Sequence, residues 1–250
     1  MSQVFKDHFS EVSKAYREFR PEYPEELFQW LAEVAPARER ALDCGCGTGQ
    51  ATVALARCFD EVTGVDPSAK QIEAAIADEK VRYLVAPAEQ TGVPQGSQDL
   101  IIAAQALHWF DLDAFYAEVR RVARPQAVFA AITYGLFTLT PELDRVLGRL
   151  YGDMLGSYWP PERRHVDAGY RTLAFPFEEI AVPEIAMTVR WSFEQVIGYL
   201  STWSAVKEYK AKTGEDPVAL VGAELEEAWG DRQESRQVAW PLKIRAGRVK

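Results

Sequence analysis

The stretch ALDCGCGTGQ, residues 41–50, carries glycine at three alternate positions immediately after a short apolar run. Glycine lets the backbone bend sharply or lets another group approach it closely, because it has no side chain. Asp43 precedes the glycines, and Cys44 and Cys46 alternate with them. The composition of this turn leaves three ligands to consider: a phosphate group, a metal ion held by the two cysteines, or a different molecule.

Short apolar runs alternate with helix-period segments around this turn, from residue 39 to about residue 135. Such alternation predicts right-handed βαβ crossovers and therefore a parallel sheet with helices on both faces. The apolar runs are nearly continuous, as strands buried on both faces require. We therefore predict an α/β fold for this region.

The remaining segments follow a different pattern. Residues 141–175 predict a helix followed by a long inserted loop, and the tail, residues 236–250, predicts one last strand near a sheet edge. Pro241 is tolerable at such an edge, where not every backbone N–H is needed. We also predict helices at about residues 10–19 and from about Glu25. A further strand is predicted at 184–191, and further helices are predicted at 192–209 and 216–229.

Composition narrows the class of protein. The 250 residues carry a formal net charge of −9, from 28 basic and 37 acidic residues. This balance disfavours nucleic acid as the main partner, because binding to phosphates requires a basic face. No window approaches the about 18 uncharged apolar residues of a membrane-spanning helix, and the first residues lack the apolar segment of a signal peptide. Since three cysteines are too few for a disulfide framework, we expect a cytoplasmic chain with no nucleic-acid and no membrane partner.

The glycine spacing discriminates between nucleotide ligands. A dinucleotide site has the spacing G-x-G-x-x-G and holds a pyrophosphate at a helix N-terminus, whereas Gly45, Gly47 and Gly49 follow G-x-G-x-G. Asp43 would repel a pyrophosphate but could bind a cationic amino group. Asp66 ends the second predicted strand, where a carboxylate can accept hydrogen bonds from both hydroxyls of a ribose. Together these residues favour an amino acid joined to a nucleoside without phosphate.

The metal interpretation of Cys44 and Cys46 requires about four ligands around a tetrahedral ion. The sequence contains no second cysteine pair and no Cys/His cluster that would complete such a site. We therefore expect no metal, and we interpret both cysteines as small side chains packed in a tight turn.

Five segments together resemble the class I S-adenosylmethionine-dependent methyltransferases over residues 39–135: LDCGCGTGQ, VTGVDPS, APAEQTGVP, QDLIIAAQALHWFD and RVARP. Three more resemble the small-molecule branch that includes trans-aconitate methyltransferases: YREFRPEYPEEL (16–27), QALHWFD (105–111) and GYLSTWSAVKEY (198–209). The resemblance implies a doubly wound, seven-stranded, mostly parallel Rossmann-like sheet whose last strand is antiparallel. It implies a single domain of four parts: an N-terminal helical lid (1–35), a cofactor-binding core (39–135), a substrate-side insertion after strand 5 (136–183), and C-terminal strands and helices (184–250).

One turn departs from the family pattern. The family usually has Pro-Gly-Gly before the fifth strand, and this sequence has Pro125, Gln126 and Ala127 there. Without the glycines, the turn must avoid positive φ at both later positions or bear the resulting strain.

The resemblance also implies site residues. Asp43, Gly45 and Gly47 would lie along the methionine part of S-adenosylmethionine, Asp66 would bind the ribose, and the adenine would lie between backbone groups after the third strand. The cofactor-binding residues implied in this way are Tyr16 and Arg20 in the lid, and Asp43, Gly45, Cys46, Gly47, Asp66, Pro67, Ser68, Ala88, Glu89, Gln105, Ala106 and Trp109 in the core.

His108 is the candidate catalytic residue, because the resemblance places it near the transferred methyl group. It would be the general base for a hydroxyl or amine acceptor, or alternatively a ring packed against Trp109. His165 follows Arg163 and Arg164, and this cluster either binds a carboxylate of the acceptor or is a solvated loop. The other candidates for the acceptor pocket, which could equally be core residues, are Tyr23, Tyr134 and Trp203.

We therefore predict transfer of a methyl group from S-adenosylmethionine to a small-molecule acceptor, with S-adenosylhomocysteine as the product. The trans-aconitate-like resemblance favours a carboxylate acceptor, which needs no general base. Two alternatives remain: an S-adenosylmethionine-binding protein without transferase activity, and an NAD-dependent oxidoreductase, which Asp43 and the glycine spacing disfavour. We expect a monomer or a homodimer.

Overall fold

A seven-stranded sheet runs through the computed structural model, which describes residues 21–250. A separate pair of strands lies outside this sheet. In chain order, the strands of the described residues are β1 (Arg40–Cys44), β2 (Glu61–Asp66), β3 (Val81–Val85), β4 (Gln98–Ala104), β5 (Ala123–Thr133), β6 (Glu178–Glu179), β7 (Ala186–Trp191), β8 (Arg236–Pro241) and β9 (Lys243–Arg248).

The strand order of the main sheet is β3-β2-β1-β4-β5-β9-β6. Because β1 pairs in parallel with both β2 and β4, the order reverses between β1 and β4. β9 pairs antiparallel with β5, and the short β6 pairs antiparallel with β9. A seven-stranded, mostly parallel sheet with a late antiparallel strand confirms the predicted fold class.

Helices flank the sheet, and the first two crossover helices are short. The helix after β1 has 6 residues and the helix after β2 has 5. The second one ends early because the chain turns back toward the glycine turn, where the N–H of Ile76 donates to the carbonyl of Thr48 (3.1 Å). The described helices are α1 (Glu25–Val34), α2 (Gln50–Leu55), α3 (Ala69–Glu73), α4 (Leu112–Val122), α5 (Pro141–Gly148), α6 (Arg163–Asp167), α7 (Phe193–Ser201), α8 (Ser204–Thr213), α9 (Pro217–Leu220) and α10 (Gly222–Trp229).

Alternate residues of the central strands face two hydrophobic cores, one on each side of the sheet. On β5, Val128 and Ala130 belong to one core, and Phe129 and Ala131 belong to the other. All four side chains are fully buried. This explains why the strands read as continuous apolar runs instead of alternating patterns. Within residues 21–250, no helix is both long enough and apolar enough to cross a membrane.

The tail forms two strands where the sequence predicts one. β8 pairs antiparallel with β7 in the separate two-stranded sheet, and only β9 enters the main sheet. Pro241 ends β8 and has no N–H to extend a ladder. The N–H of Leu242 instead donates to the carbonyl of Ile185 (2.9 Å). A single Pro-Leu step therefore transfers the chain from one sheet to the other.

A second difference lies between α7 and α8, which the sequence predicts as one helix. Trp203 separates them with an extended backbone (φ −61°, ψ 136°). Its ring packs against the rings of Phe137, Tyr151 and Trp159. These contacts come from a distant segment of the chain, so helical periodicity alone does not reveal the break.

The segment after β5 brings new side chains to the carboxyl end of the sheet. α5 continues into a π-helical turn, Arg149–Met154, and the short α6 follows. α5 contacts α10, and α6 contacts the turn Leu107–Trp109 that follows β4. The insertion therefore reaches the edge at which the glycine turn lies.

Gln126 bears the strain anticipated at residues 125–127, although the structure places these residues inside β5, where its register against β4 shifts. Its φ is +66°, in the left-handed region that favours glycine. The side chain is exposed, and its carbonyl accepts a hydrogen bond from Nη1 of Arg248 (3.0 Å). The residue lies at the opposite edge of the sheet from the glycine turn.

We predict that Gln126→Gly stabilises the protein. Relief of left-handed strain, about 1–2 kcal/mol, outweighs the backbone-entropy cost of glycine, about 0.5–1 kcal/mol. The free energy of unfolding, measured by urea denaturation, should rise by about 0.5–1 kcal/mol.

Gln237→Gly is the matched control, because Gln237 is exposed in β8 and has no positive φ. This substitution should lower the free energy of unfolding. A Gln126→Gly variant that loses as much stability as the control would contradict the assignment of strain to Gln126.

Candidate active site

The turn between β1 and α2 is packed between the ends of two neighbouring strands. Its glycines have left-handed backbone, with φ of +72° at Gly45, +55° at Gly47 and +83° at Gly49. A Cβ on Gly45 would lie 2.6 Å from the Cβ of Ala106, which follows β4. The Gly45 N–H donates to the carbonyl of Val65 on β2 (2.8 Å). The turn therefore touches both strands that flank β1.

The three glycines differ in their surroundings. A Cβ on Gly49 would overlap the hydroxyl of Tyr83, whereas a Cβ on Gly47 would meet no atom of the described residues within 4 Å. The Gly47 N–H donates to Oδ2 of Asp66 (2.9 Å). Packing thus requires Gly45 and Gly49, while Gly47 borders open space against which a ligand can lie.

Asp43 places a buried carboxyl group beside this space. Only 1% of the residue is exposed, and Oδ2 accepts a hydrogen bond from Oγ1 of Thr52 on α2 (2.7 Å). Oδ1 has no hydrogen-bond partner among the described residues. Burial raises the pKa of Asp43 to about 7, an effect that the Thr52 hydrogen bond opposes and the charge of Asp66 reinforces. A buried carboxylate oxygen without a partner is costly, and an ammonium group would satisfy it.

Asp66 is held at the end of β2 by two backbone groups. Its Oδ2 accepts from the N–H of Gly47 and its Oδ1 from the N–H of Ser68, both at 2.9 Å. Ser68 caps α3, because its hydroxyl accepts from the N–H of Gln71 (3.4 Å). Pro67, between Asp66 and Ser68, is exposed. These bonds fix the Asp66 carboxylate next to Gly47.

Ala88 and Glu89 follow β3. The side chain of Ala88 belongs to the core, with 3% exposed, so any contact with a ligand would come from its backbone. Glu89 Oε1 accepts from the N–H of Asp111 (2.9 Å). The Glu89 carboxylate therefore braces the loop that leads into α4.

Gln105 joins the ends of β4 and β5. Its Nε2 donates to the carbonyl of Tyr134 (2.9 Å), and its Oε1 accepts from Oγ1 of Thr133 (2.7 Å). Its φ is +57°. A non-glycine residue in this region stores about 1–3 kcal/mol of strain and commonly marks a functional site.

His108 is a partly buried, neutral ring. Its Nδ1 lies 2.9 Å from the hydroxyl of Tyr170, and its ring centroid lies 4.7 Å from that of the half-exposed Trp109. Burial lowers the pKa of His108 to about 3, and the positive charges of Arg163 and His165 add to the effect. The imidazole is therefore uncharged at neutral pH.

Arg163, on α6, is held along one edge of its guanidinium. Nε donates to the hydroxyl of Tyr151 (2.6 Å), which in turn donates to Oδ1 of Asp167 (2.6 Å). The guanidinium carbon lies 5.0 Å from the ring centroid of Trp159 and 5.5 Å from that of Tyr151. Its terminal nitrogens have no hydrogen-bond partner within residues 21–250, and the side chain lines a pocket of about 250 Å³.

Aromatic rings surround this cation. Trp203 lies 5.7 Å from Tyr151 and 5.5 Å from Trp159 by ring centroids. Tyr23 and Tyr134 form a second contact, with centroids 6.1 Å apart. Three predicted acceptor-side residues thus belong to aromatic clusters, and Trp203 is the one packed beside the neighbours of Arg163.

Other predicted residues lie apart from this arrangement. Tyr16 and Arg20 lie outside the described residues. His165 is partly exposed, with Nδ1 2.7 Å from Oγ1 of Thr172. Cys46 has a largely buried thiol whose pKa is raised by burial. Within residues 21–250, no group of three or more His, Cys, Asp or Glu side chains could hold a metal ion.

Sequence reasoning missed several residues of the site. Thr52 lies on the predicted helix after the glycine turn, and helical spacing could have shown that it faces β1. The others belong to the segment after β5, where no periodicity places them. They are Tyr151, Trp159, Asp167 and Tyr170.

Comparison with known proteins identifies a methyltransferase domain in residues 42–131. A Dictyostelium discoideum protein named as a methyltransferase is 39% identical over 204 residues, 80% of this chain and 78% of that protein. A Saccharomyces cerevisiae protein named as an S-adenosylmethionine-dependent methyltransferase is 31% identical over 172 residues, 63% of this chain and 59% of that protein. The solved structure of a type II methyltransferase from Anaeromyxobacter dehalogenans is 55% identical, covers 92% of this chain and 98% of its own, and superposes with a TM-score of 0.89.

We predict that His108 does not titrate near neutral pH. Because its folded pKa of about 3 lies below the about 6.5 of a solvated histidine, the unfolded chain binds the proton more tightly. The contribution of His108 to the free energy of unfolding is therefore constant above about pH 6.5 and decreases as the pH falls toward 3. Histidine NMR signals followed over pH, with His108 assigned from the His108→Gln spectrum, check this. A His108 signal that titrates near pH 6 would show that the ring is solvated.

Proposed function

The chain belongs to the class I S-adenosylmethionine-dependent methyltransferases, and we propose that it methylates a small molecule on a carboxylate. The terminal nitrogens of Arg163 carry this proposal, because they have no hydrogen-bond partner within residues 21–250 and the side chain lines a pocket in the insertion, whose helix α6 contacts the turn that carries His108. Family membership disfavours both alternatives, a binding protein without transfer and an NAD-dependent oxidoreductase. The narrower resemblance to trans-aconitate methyltransferases remains a prediction.

The residues at the end of β1 fit the amino-acid part of the cofactor. Oδ1 of Asp43, which has no hydrogen-bond partner within residues 21–250, would accept a hydrogen bond from the methionine ammonium group. This bond would also offset the cost of burying the charge. Gly45 and Cys46 would contribute backbone along the methionine, and the open face of Gly47 would leave room for it.

The residues at the ends of β2, β3 and β4 would bind the nucleoside. Asp66 would accept hydrogen bonds from the ribose hydroxyls, since a carboxylate can accept about four hydrogen bonds, and Pro67 and Ser68 would lie beside it. The backbone of Ala88 and Glu89 would frame the adenine. Three residues after β4 would complete the cofactor site near the sulfur: Gln105, Ala106 and Trp109.

The chemistry required of the protein is modest. When bound, S-adenosylmethionine supplies a methyl group on a positively charged sulfur, which leaves as a neutral thioether. A carboxylate acceptor is already ionised at neutral pH, so the protein has to orient it and exclude water. A hydroxyl or amine acceptor would additionally need a base, for which His108 would be the candidate.

The surroundings of Arg163 support recognition of an anion. Guanidinium groups bind carboxylates through two parallel hydrogen bonds. Because Tyr151 and Trp159 already fix the plane of the guanidinium, little side-chain entropy remains to be lost on binding. We assign the acceptor pocket to the insertion (136–183), within a single methyltransferase domain. Tyr23, Tyr134 and Trp203 would add apolar wall, and His165 would lie at its rim.

We predict that Asp43→Asn and Asp66→Asn weaken the binding of different parts of the cofactor. Asp43→Asn should weaken binding of S-adenosylhomocysteine at least tenfold, about 1.4 kcal/mol, because the ammonium loses its charged partner. It should leave 5′-methylthioadenosine, which lacks the amino acid, bound as before. Asp66→Asn should weaken both ligands, because both contain the ribose. Isothermal titration calorimetry gives the four affinities, and equal losses for both ligands in Asp43→Asn would overturn the ammonium assignment.

We also predict that cofactor affinity depends on pH through Asp43. In the free protein its pKa is about 7, and an ammonium partner favours the ionised form. Affinity for S-adenosylhomocysteine should therefore be constant above about pH 8 and fall by up to about tenfold per unit below pH 7. The 5′-methylthioadenosine affinity and the Asp43→Asn variant should not share this dependence. A wild-type affinity that is constant from pH 8 to 6 would show that Asp43 does not titrate with binding.

The acceptor proposal is tested with carboxylic acids and their matched primary amides. Acids should yield methyl esters and S-adenosylhomocysteine, and the amides should not react. Arg163→Gln should raise the KM for a reactive acid at least tenfold, with S-adenosylhomocysteine affinity unchanged by calorimetry. Arg163→Lys keeps the charge but not the planar arrangement of N–H donors. Its KM should lie between those of the wild type and Arg163→Gln.

Arg171→Gln is the matched control, because Arg171 is exposed in the same segment and does not line the pocket. Its KM should stay within about twofold of the wild-type value. Methylation of hydroxyl or amine compounds, with Arg163→Gln as active as Arg171→Gln, would exclude a carboxylate acceptor while leaving methyl transfer intact.

A further inference from the structure

We propose that Tyr170 positions His108 by holding the imidazole proton on Nε2, so that His108 meets the acceptor as a hydrogen-bond donor and not as a general base. The inference rests on the proposed acceptor site and assigns to its histidine a role different from base catalysis. Tyr170 acts only through His108 and is a positioning residue.

The proton of the Tyr170 hydroxyl determines which nitrogen of His108 is protonated. Tyr170 is fully buried, and a buried hydroxyl donates a hydrogen bond wherever an acceptor is within reach. In the described part of the chain, the hydrogen-bond partner of this hydroxyl is His108 Nδ1, at 2.9 Å. A neutral imidazole has one nitrogen that donates and one that accepts. If Tyr170 donates to Nδ1, the ring proton is on Nε2.

Several groups affect the pKa of the Tyr170 hydroxyl. Burial raises the pKa of this phenol above its usual range, and the Thr133 side chain, the charge of Arg163 and the backbone N–H groups of Leu107 and His108 oppose the rise. If Nδ1 of His108 carried the proton, the Tyr170 hydroxyl would accept from it, and the hydroxyl proton itself would have no hydrogen-bond acceptor among those found in residues 21–250. The arrangement therefore favours Tyr170 as the donor.

Thr133 does not supply an alternative proton to this oxygen. Its Oγ1 lies 2.7 Å from Oε1 of Gln105, and the Gln105 amide is oriented by its Nε2, which donates to the carbonyl of Tyr134 (2.9 Å). With Oε1 thus fixed as an acceptor, Thr133 gives its proton to Gln105 and not to Tyr170. Within residues 21–250, the group at hydrogen-bond distance from the Tyr170 hydroxyl is His108 Nδ1 (2.9 Å).

The backbone of Tyr170 is held as firmly as its hydroxyl. Its φ is +59°, which is strained for an aromatic residue. Its N–H donates to the carbonyl of His165 (2.8 Å), and its carbonyl accepts from Nη1 of Arg245 (3.1 Å). Strain of this kind persists only where the surroundings over-determine it, and it clusters at functional sites.

The second ring nitrogen of His108, Nε2, is available to the methyl acceptor. Nε2 of His108 has no hydrogen-bond partner among the described residues, and α6, which carries Arg163, contacts the turn that carries His108. The Nε2–H of His108 and the guanidinium of Arg163 both donate hydrogen bonds. A methyl-acceptor molecule that binds both groups must therefore offer oxygen lone pairs to each of them. A carboxylate offers them, and its attacking oxygen needs no proton removed.

Nitrogen NMR of histidine-labelled protein tests the tautomer directly. The His108 resonances, assigned from the His108→Gln spectrum, should show an unprotonated Nδ1 and a protonated Nε2 at neutral pH. Tyr170→Phe keeps the ring and should abolish this preference, with the Nδ1 signal shifting toward the protonated position. A wild-type spectrum with the proton on Nδ1 would overturn the proposal. If Tyr170→Phe does not fold, the wild-type spectrum alone still shows which nitrogen of His108 carries the proton.

Activity with a reactive acid gives a second readout. Glutamine retains an N–H donor near the position of Nε2 but cannot act as a base, whereas leucine provides neither. His108→Gln should keep kcat/KM within about tenfold of wild type, and His108→Leu should lose at least about 100-fold. Equal losses in both variants would show that an N–H donor at this position does not support the reaction, and would refute the proposal. The spectrum needs no acceptor, so a failure of the carboxylate proposal in the acid and amide assay is distinguishable from a failure of this one.

Discussion

The close approach of two turns at the carboxyl edge of the sheet is the constraint on which the site depends. Only a glycine fits at position 45, because a Cβ there would lie 2.6 Å from that of Ala106. This contact joins the turn that follows β1 and Asp43, and that carries Gly47, to the segment after β4, which carries His108. Since β2 and β4 lie on opposite sides of β1, the strand order reverses here, and ligands of open parallel sheets generally bind at such a position. The fold and the site therefore share one packing requirement.

Charge is distributed unevenly around this edge. Asp43 and Asp66 lie at the ends of neighbouring strands on one side of the reversal, whereas Arg163 comes from the insertion that contacts the segment after β4. Asp167 pairs with Nε of Arg163 (3.4 Å), but the terminal guanidinium nitrogens and Oδ1 of Asp43 have no hydrogen-bond partner among the described residues. A cofactor with an ammonium group would satisfy Asp43, and an anionic acceptor would satisfy the terminal nitrogens of Arg163. This distribution favours a specific combination of ligands, which the fold alone does not.

Local pattern predicted the core of the fold and the acidic half of the site, because both depend on short-range features. Continuous apolar runs mark strands buried on both faces, and Asp43 and Asp66 are identified by their positions at strand ends. The basic half depends on contacts between distant segments. The neighbours of Arg163 and the hydroxyl of Tyr170 reach the sheet edge through a segment with a π-helical turn and short helices, for which no periodic signal exists. Pro241 shows the same limit, because its effect on the tail depends on the strand with which it pairs.

A carboxylate-binding cation and a general base make opposite demands on their surroundings. A base becomes positively charged when it takes a proton, and both burial and the nearby Arg163 oppose that charge on His108, whose pKa falls to about 3. A hydrogen-bond donor has no such difficulty, because it remains neutral throughout the reaction. The same guanidinium that would bind the proposed anionic acceptor thus makes base catalysis by the neighbouring histidine unfavourable. An acceptor that arrives already ionised resolves the conflict, since its binding uses the positive charge and its reaction requires no proton transfer.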